Sequence, residues 1–487
     1  MPSLSQRVRS ARRDDATPAL VLWIVCSGVV LASLDLFIVN VALPDMGADL
    51  GAGGLGDLSW VLNGYAIVYA SLLVLFGRLA DRHRRERGFL LGVAVFTAAS
   101  AACGLATSVT MLVAFRLVQA AGAALLTPTS LGLVLATAAP ERRASSVRAW
   151  TAVGGLAAAL GPVVGGLLVA ASWRWVFLVN VPIGLAALVV GWRRLPEVPG
   201  HPTARPDAVG ALLVTAGVGA LTLGLVKGGA WGWGSGATVA VLASAAAALA
   251  VFVARCLRHP NPLVDPALFR VRAFTGASVV ALVFSVAFGA MLLSVVLWEQ
   301  EVWGWSALRT GLAIAPGPLM VPLFSFLVAG RLIARLGPGP VIGGGSALFA
   351  AGIAWWSLAA GLEPDYVRDM LGGMLLTGAG VGLTLPTLMA TAASSLPPQA
   401  FATGSGVVNM LRQVGLAVGV ALLVALLGTP DSPAASLDAF RLGWGVTAGE
   451  RLQRARPAPR GRRPRQARLS TDRCRTSGCR SRSGTTG

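Results

Sequence analysis

Charge is what this chain is poorest in. Asp, Glu, Lys and Arg make up 13% of its 487 residues, against about a quarter in a soluble globular protein. With 55% hydrophobic residues and a mean hydropathy of +0.70, that scarcity excludes an ordinary soluble domain. Cysteine is scarce too. Cys26, Cys103, Cys256, Cys474 and Cys479 form no ligand cluster, and the last two have no histidine near them, so no metal site is expected. A Walker-type phosphate loop is missing, as is any nucleophile–base constellation. Both absences argue against an enzyme and against a nucleotide site.

What the chain does have is long apolar runs, and a bilayer core asks for about 20 such residues per helix. Runs begin near Ala19, Leu58, Gly88, Met111, Ala149, Trp175, Ala208, Ala237, Ala273, Gly311, Val341, Met370 and Gly404. The 60 glycines and 28 prolines would break soluble helices, but membrane helices tolerate both because neighbours satisfy the freed backbone groups. The basic start, through Arg13, precedes a run too long for a signal-peptide core, which reads as a first span that stays.

The net charge of +19 is unevenly spread. From Arg441 onward thirteen arginines face only Glu450 and Asp472. The rest of the excess sits in short loops, and basic loops beside spans are the ordinary positive-inside signal, so nucleic acid is not an expected partner. Loops 82–87, 141–148, 193–207, 255–272 and 331–335 are basic or polar, whereas 45–57 and 363–369 are acidic or neutral. This alternation predicts a multi-pass protein of the bacterial cytoplasmic membrane with a cytoplasmic amino terminus.

The chain also repeats itself. Gly77-Arg78-Leu79-Ala80-Asp81-Arg82 recurs as Gly330-Arg331-Leu332-Ile333-Ala334-Arg335, and Ala121 to Thr129 recurs as Ala379 to Thr387, at nearly equal offsets. Two parallel halves suggest a rocking transporter with its site near mid-membrane. The expected organisation is a cytoplasmic segment 1–18, a six-helix half 19–192, a linker with two inserted helices 193–258, a second half 259–440 and a basic tail 441–487.

Polar residues inside the spans mark the candidate site. Asp35 lies within the first span, where a carboxylate costs about 2.5–3.5 kcal/mol on insertion scales, so it is a proton-site candidate by default; a structural acid bonded to a neighbouring helix is the alternative. Arg116 sits within the fourth span with Gln119 one turn on, either tuning the protonation of Asp35 or forming a structural salt bridge. In the loop from Gly77 to Arg87, Asp81 is placed to accept hydrogen bonds from a helix amino end, while Arg82 and Arg85 pair with acids or lipid. That would make a latch closing one face. Gly154, Gly161, Gly165 and Gly166 let a neighbouring backbone approach the fifth span, and Pro162 bends it. Glu299, Gln300 and Glu301 end the ninth span among tryptophans, there to attract cations or protons or simply forming a solvated helix end. Asn40, Tyr65, Gln119, Glu301, Arg412 and Gln413 are expected on the solute path.

Taken together, these strings resemble the major facilitator superfamily, and within it the fourteen-helix branch of drug:proton antiporters. Asp35 to Pro44, Gly77 to Arg85, Arg116 to Pro128, Gly154 to Gly166 and Trp173 to Pro182 are each similar to a motif of that branch. The resemblance implies an all-α polytopic fold of two six-helix halves with two inserted central helices. It implies proton-coupled efflux of lipophilic or cationic small molecules such as antibiotics, by a monomer that uses the proton gradient and no cofactor. A dedicated exporter of a self-made secondary metabolite and an uptake symporter are the alternatives. The chain departs from the pattern at Arg84 and Ala120, where glycines are usual. It departs again at the last helix, expected near Ala439, where Phe440 to Gly449 starts like a span and gives way to arginine, proline and serine. That change reads as a missing or replaced helix, from an out-of-frame or truncated terminus.

Overall fold

The computed structural model describes residues 18–199, 207–396, 401–428 and 432–449. Residues 450–487 of the basic tail and most of segment 1–18 lie outside the described residues, as does the side chain of Asp81; residues 441–447 of the expected tail are helical. Every regular element among the described residues is helical.

The first six helices are α1 (Pro18–Leu50), α2 (Leu55–Arg82), α3 (Arg85–Gly104), α4 (Val109–Thr137), α5 (Arg143–Val169) and α6 (Trp175–Arg194). A hairpin follows, α7 (Ala208–Trp231) and α8 (Gly236–Arg258). The chain then forms α9 (Arg272–Val302, its last turn a π-helix), α10 (Ala307–Leu336), α11 (Pro338–Ala359), α12 (Tyr366–Ala392), α13 (Phe401–Leu427) and α14 (Pro433–Thr447). Twelve described helices are long and apolar enough to cross a membrane, and α5 runs a further 27 residues. Short turns join them, so their ends alternate between a basic face, carrying Arg84 and Arg85, and a far face, carrying Asp49 and Glu301.

The repeat read from the sequence reappears as packing. In the first half α1 lies on α4 and α5, α2 on α4, and α3 on α4 and α6; in the second, α9 lies on α12 and α13, α10 on α12, and α11 on α12 and α14. The same small residues permit both sets. A β-carbon on Gly122 would stand 2.6 Å from the Phe96 nitrogen, and one on Gly380 would stand 2.6 Å from the Phe349 nitrogen. Gly161 and Gly165 of α5 admit the α1 backbone as Gly415 and Gly419 of α13 admit that of α9. Such close contact supplies the dispersion and weak polar attraction on which helices in lipid depend.

The halves meet along two seams, α2 on α13 and α5 on α10. Against the first seam packs α7 of the hairpin, through Ala211, Val214 and Val218. Two ion pairs pin that hairpin. Lys227 reaches Asp57 at 2.6 Å, and Arg255 binds Asp207 at 2.9 Å. Asp207 also caps α7 by accepting the Gly210 amide at 2.9 Å. Burial opposes ionisation of Asp207, but the Gly210 amide and the Arg255 guanidinium outweigh it and hold the carboxyl below the usual carboxylate range.

The expectation for the last helix needs correction. A helix is present, and it begins at Pro433 rather than near Ala439, because the Ser432 hydroxyl caps it and Pro433 suits the first turn. Its 15 residues fall short of the length a span needs. Phe440 and Trp444 nevertheless bury against Trp298 of α9, with Trp444 donating to the Ser294 hydroxyl at 2.9 Å.

Candidate functional site

The turn of α1 that carries Asp35 faces α4 and α6, and every polar group around it is out of solvent contact. Asp35, Arg116, Gln119, Ser100 and Asn180 are all 0% exposed. Arg116 of α4 forms a salt bridge to Asp35 through one guanidinium nitrogen, and the same nitrogen donates to Gln119 at 2.7 Å. Gln119 in turn donates to the other Asp35 oxygen at 2.8 Å and to Ser100 at 2.5 Å. From α6, Asn180 donates to Asp35 at 3.2 Å and to Ser100 at 3.3 Å. A buried carboxylate is tolerated only when its charge is met and its lone pairs are filled, and this cluster does both.

The arginine is anchored on its other sides too. Its Nε donates to the Val61 carbonyl at 3.2 Å, and its guanidinium lies 4.1 Å from the centre of the Tyr65 ring. One remaining nitrogen, Nη2, has no hydrogen-bond partner in the structure. Tyr65 stacks on Tyr69 with ring centres 5.9 Å apart, and Tyr69 shares a 3.2 Å hydrogen bond with Thr127. The Tyr65 hydroxyl itself is buried without a hydrogen-bond partner, so no continuous hydrogen-bonded file joins Asp35 to Tyr69 and Thr127.

Arg116 also forms part of the wall of a central cavity between the halves. Asn40, Asn63 and Arg116 line one side, and Gly289, Leu292 and Leu416 the other. Its volume of about 30 Å³ suits a water molecule, whereas drug-sized ligands need about 300–1,000 Å³. The halves must part before such a solute can enter. Asn63 is fully buried there with neither amide atom hydrogen-bonded.

Of the six residues expected on the solute path, Asn40 alone lines this cavity. Tyr65 lies beneath Arg116, and Gln119 belongs to the Asp35 cluster. Arg412 and Gln413 sit on α13, Arg412 bonding Asn409 at 3.4 Å, and Glu301 is exposed on the far face. Asn63, Ser100 and Asn180 join the site although the sequence does not mark them. Asn180 lies within the Trp173 to Pro182 motif, while Ser100 and Asn63 look like ordinary small polar residues in apolar helices.

The fifth-span glycines do seat a neighbour closely. A β-carbon on Gly154 would meet Val29 at 2.9 Å, on Gly161 it would meet Phe37 at 2.7 Å, and on Gly165 the Ile38 carbonyl at 2.9 Å. On the other side of α5, Gly166 would meet the Ala307 carbonyl at 2.6 Å, and Gly311 of α10 faces the Pro162 carbonyl. The far ends of α5 and α10 are therefore shut together. Gln300 of α9 closes the same face by donating to the Val41 carbonyl of α1 at 3.0 Å.

On the basic face, Gly77 packs beside Pro128, and Arg85 donates to the Gly132 carbonyl at 3.4 Å, tying the loop to α4. Arg82 is exposed at the end of α2. Arg84, which stands where glycine is usual, bonds Glu86 at 2.6 Å and also pairs with Glu197 beyond α6; the Glu197 hydrogen bond raises its already high pKa. Val198 seals the strap by donating to Glu86 at 3.0 Å.

Comparison with known proteins agrees with this architecture. The family model described as Major Facilitator Superfamily matches residues 25–420. The chain is 36% identical over 439 residues to the cephamycin export protein CmcT of Amycolatopsis lactamdurans, covering 88% of this chain and 89% of that one. It is 35% identical over 416 residues to the tetracenomycin C resistance and export protein of Streptomyces glaucescens, covering 84% and 75%. To the methylenomycin A resistance protein of Bacillus subtilis it is 33% identical, covering 84% and 87%. Among solved structures, the POT family transporter PepTSo superposes with a TM-score of 0.62 at 15% identity, covering 88% of this chain and 95% of that one.

Proposed function

The chain belongs to the major facilitator superfamily, and from that premise we propose that it exports small, lipophilic or cationic, antibiotic-like molecules across the cytoplasmic membrane in exchange for protons. It is a multi-pass membrane transporter rather than an enzyme. One observation carries the finer reading: the sealed Asp35–Arg116 pair, whose arginine is also cavity wall.

That arrangement lets proton and solute act on one another. With Asp35 ionised, the pair is neutral and the cavity wall carries no net charge. Protonating Asp35 dissolves the pair and leaves a +1 guanidinium facing the cavity, in a low-dielectric site where charge repulsion is strong. A cationic solute is then disfavoured and released. In this reading the basic face is cytoplasmic and the solute enters from the cytoplasm or inner leaflet. The halves rock, protons from outside reach Asp35, and solute leaves. Deprotonation inside restores the pair. For an uncharged solute, a proton entering down about 100 mV supplies about 2.3 kcal/mol, enough for tens-fold accumulation; one-for-one exchange with a monovalent cation moves no net charge and draws on the pH gradient alone.

The names of the relatives support a narrower version, in which the chain exports one self-made antibiotic or protects against it. The test is a drug-susceptibility panel in an efflux-deficient host, followed by flux measurements in inside-out vesicles. Resistance to several unrelated cations supports the broad version, and resistance to one scaffold the narrow one. Uptake into the cytoplasm, or solute movement indifferent to the proton gradient, overturns both.

A further inference from the structure

Five acidic side chains are buried among the described residues: Asp35, Glu86, Asp207, Glu299 and Asp369. Four of them accept hydrogen bonds, from Gln119 and Asn180, from Arg84 and Val198, from Arg255 and Gly210, and from Gly361 respectively. Glu299 is different. It is 0% exposed, and neither carboxyl oxygen has a well-aligned hydrogen-bond partner.

Its surroundings explain why no partner compensates. Glu299 sits in the π-helical turn that ends α9, beside Trp298, and the Trp305 amide takes up its backbone carbonyl at 2.9 Å. From α10, the exposed Arg309 guanidinium attracts it from a distance but forms no salt bridge with it, lying instead 3.8 Å over the Trp305 ring, and the Thr310 hydroxyl lies alongside it, itself without a well-aligned partner. From α12, the Tyr366 hydroxyl is committed to the Ala313 carbonyl at 2.7 Å. On its own segment Glu301 points to the surface. The next residue, Gln300, holds α9 to α1 across the halves.

We propose that Glu299 is a second proton-binding site, loaded from the far side, and that its protonation licenses closure of that face. An ionised carboxylate would be stranded in this pocket, because burying an unpaired charge is far costlier than burying a neutral acid. A neutral carboxyl can share hydrogen bonds with Thr310 after a small rotation. When α10 separates from α5 and Gln300 leaves Val41, water reaches the pocket and Glu299 exchanges its proton with the outside medium. Closure then selects the protonated form. The ligand is a proton, and the account deepens the proposed antiport and rests on it for the direction of the cycle: each return of the carrier to the inward-facing state would carry a proton in each half.

The experiment reads far-face opening directly. Leu308 packs against Gly166 at the α5–α10 contact. In protein whose native cysteines are replaced by serine, Leu308→Cys is reacted with a membrane-impermeant maleimide across a pH series, in nanodiscs. Rates are normalised to Gly234→Cys in the exposed α7–α8 turn. The proposal expects normalised labelling to rise several-fold as pH rises, and Glu299→Gln to hold it at the low, acid-pH level throughout. Asp35→Asn should keep the pH dependence while losing proton-driven flux. An unaltered pH profile in Glu299→Gln overturns the proposal and leaves the antiport reading intact; proton-driven flux that survives Asp35→Asn sinks that reading without touching the Glu299 result. Should Glu299→Gln misfold, infrared difference spectra of Asp35→Asn decide the matter. A protonated-carboxyl band that persists at neutral pH, and shifts in glutamate-labelled protein, upholds the assignment, and its absence overturns it.

Discussion

Arg116 reaches from α4 to Asp35 on α1 in an ion pair with no exposed surface on either side chain. Both helices belong to the first half, and Arg116 is among the residues that line the small cavity between the halves. In the proposed exchange, a proton arriving at Asp35 changes the charge beside whatever occupies that cavity.

Removing either partner should have unequal consequences. Asp35→Asn keeps the shape and the Gln119 and Asn180 hydrogen bonds but leaves the buried Arg116 guanidinium unpaired, so the protein should bind solute, lose pH-driven flux and also lose some stability. Arg116→Ala strands a buried carboxylate and should destabilise the fold by about 3–5 kcal/mol. Thermal unfolding in detergent, beside flux in vesicles, separates the two outcomes.

Asn63 presents an unsatisfied donor and acceptor to the cavity. A solute that fills both should notice their loss. Asn63→Ala should raise KM about ten-fold for such a solute, in line with roughly 1–3 kcal/mol for an unmet polar group, and barely alter transport of purely apolar ones. Vesicle uptake kinetics with two solutes of contrasting polarity would show it.

Gly161 admits α1, and Gly166 admits α10. Gly161→Leu should force α1 away from α5 and cost about 1–3 kcal/mol or more by overpacking. Gly166→Leu should instead prise open the far face, so that Leu308→Cys labels faster at every pH. If labelling stays at the wild-type rate, the far-face seal does not lie at this contact.

Asp207 anchors the inserted hairpin, and its lowered pKa sets a sign. Its contribution to stability is complete above the unfolded-state value of about 3.9 and fades as pH falls through the lower folded value. Asp207→Asn should remove that acid-side loss, and at neutral pH it should loosen α7 from α8. Limited proteolysis of the segment that follows α8, across pH, is the check.

Much of this was legible beforehand, for physical reasons. Asp35 and Arg116 stood out because charge in an apolar run is costly, and the α5 glycines because six glycine and proline positions crowd one helix. The matching pair in α13, Gly415 and Gly419, was passed over: two glycines in a long apolar run carry little signal until the helix they admit is known. Glu299 was read with Gln300 and Glu301 as one helix end. Only the π-helical turn separates them, turning Glu299 inward, Gln300 across to α1 and Glu301 to the surface. Asn63 and Ser100 matter through their neighbours, and no local pattern names a neighbour. The start of α14 was misplaced because apolar content was weighed above the Ser432 cap.

Direct proton counting is the sharpest test of the exchange at Asp35. Purified protein in weakly buffered detergent is mixed with a transported cation while a pH dye reports proton release. The account predicts that solute binding expels protons from the wild type and none from Asp35→Asn at equal occupancy. Equal release from both, or none from either, would contradict it.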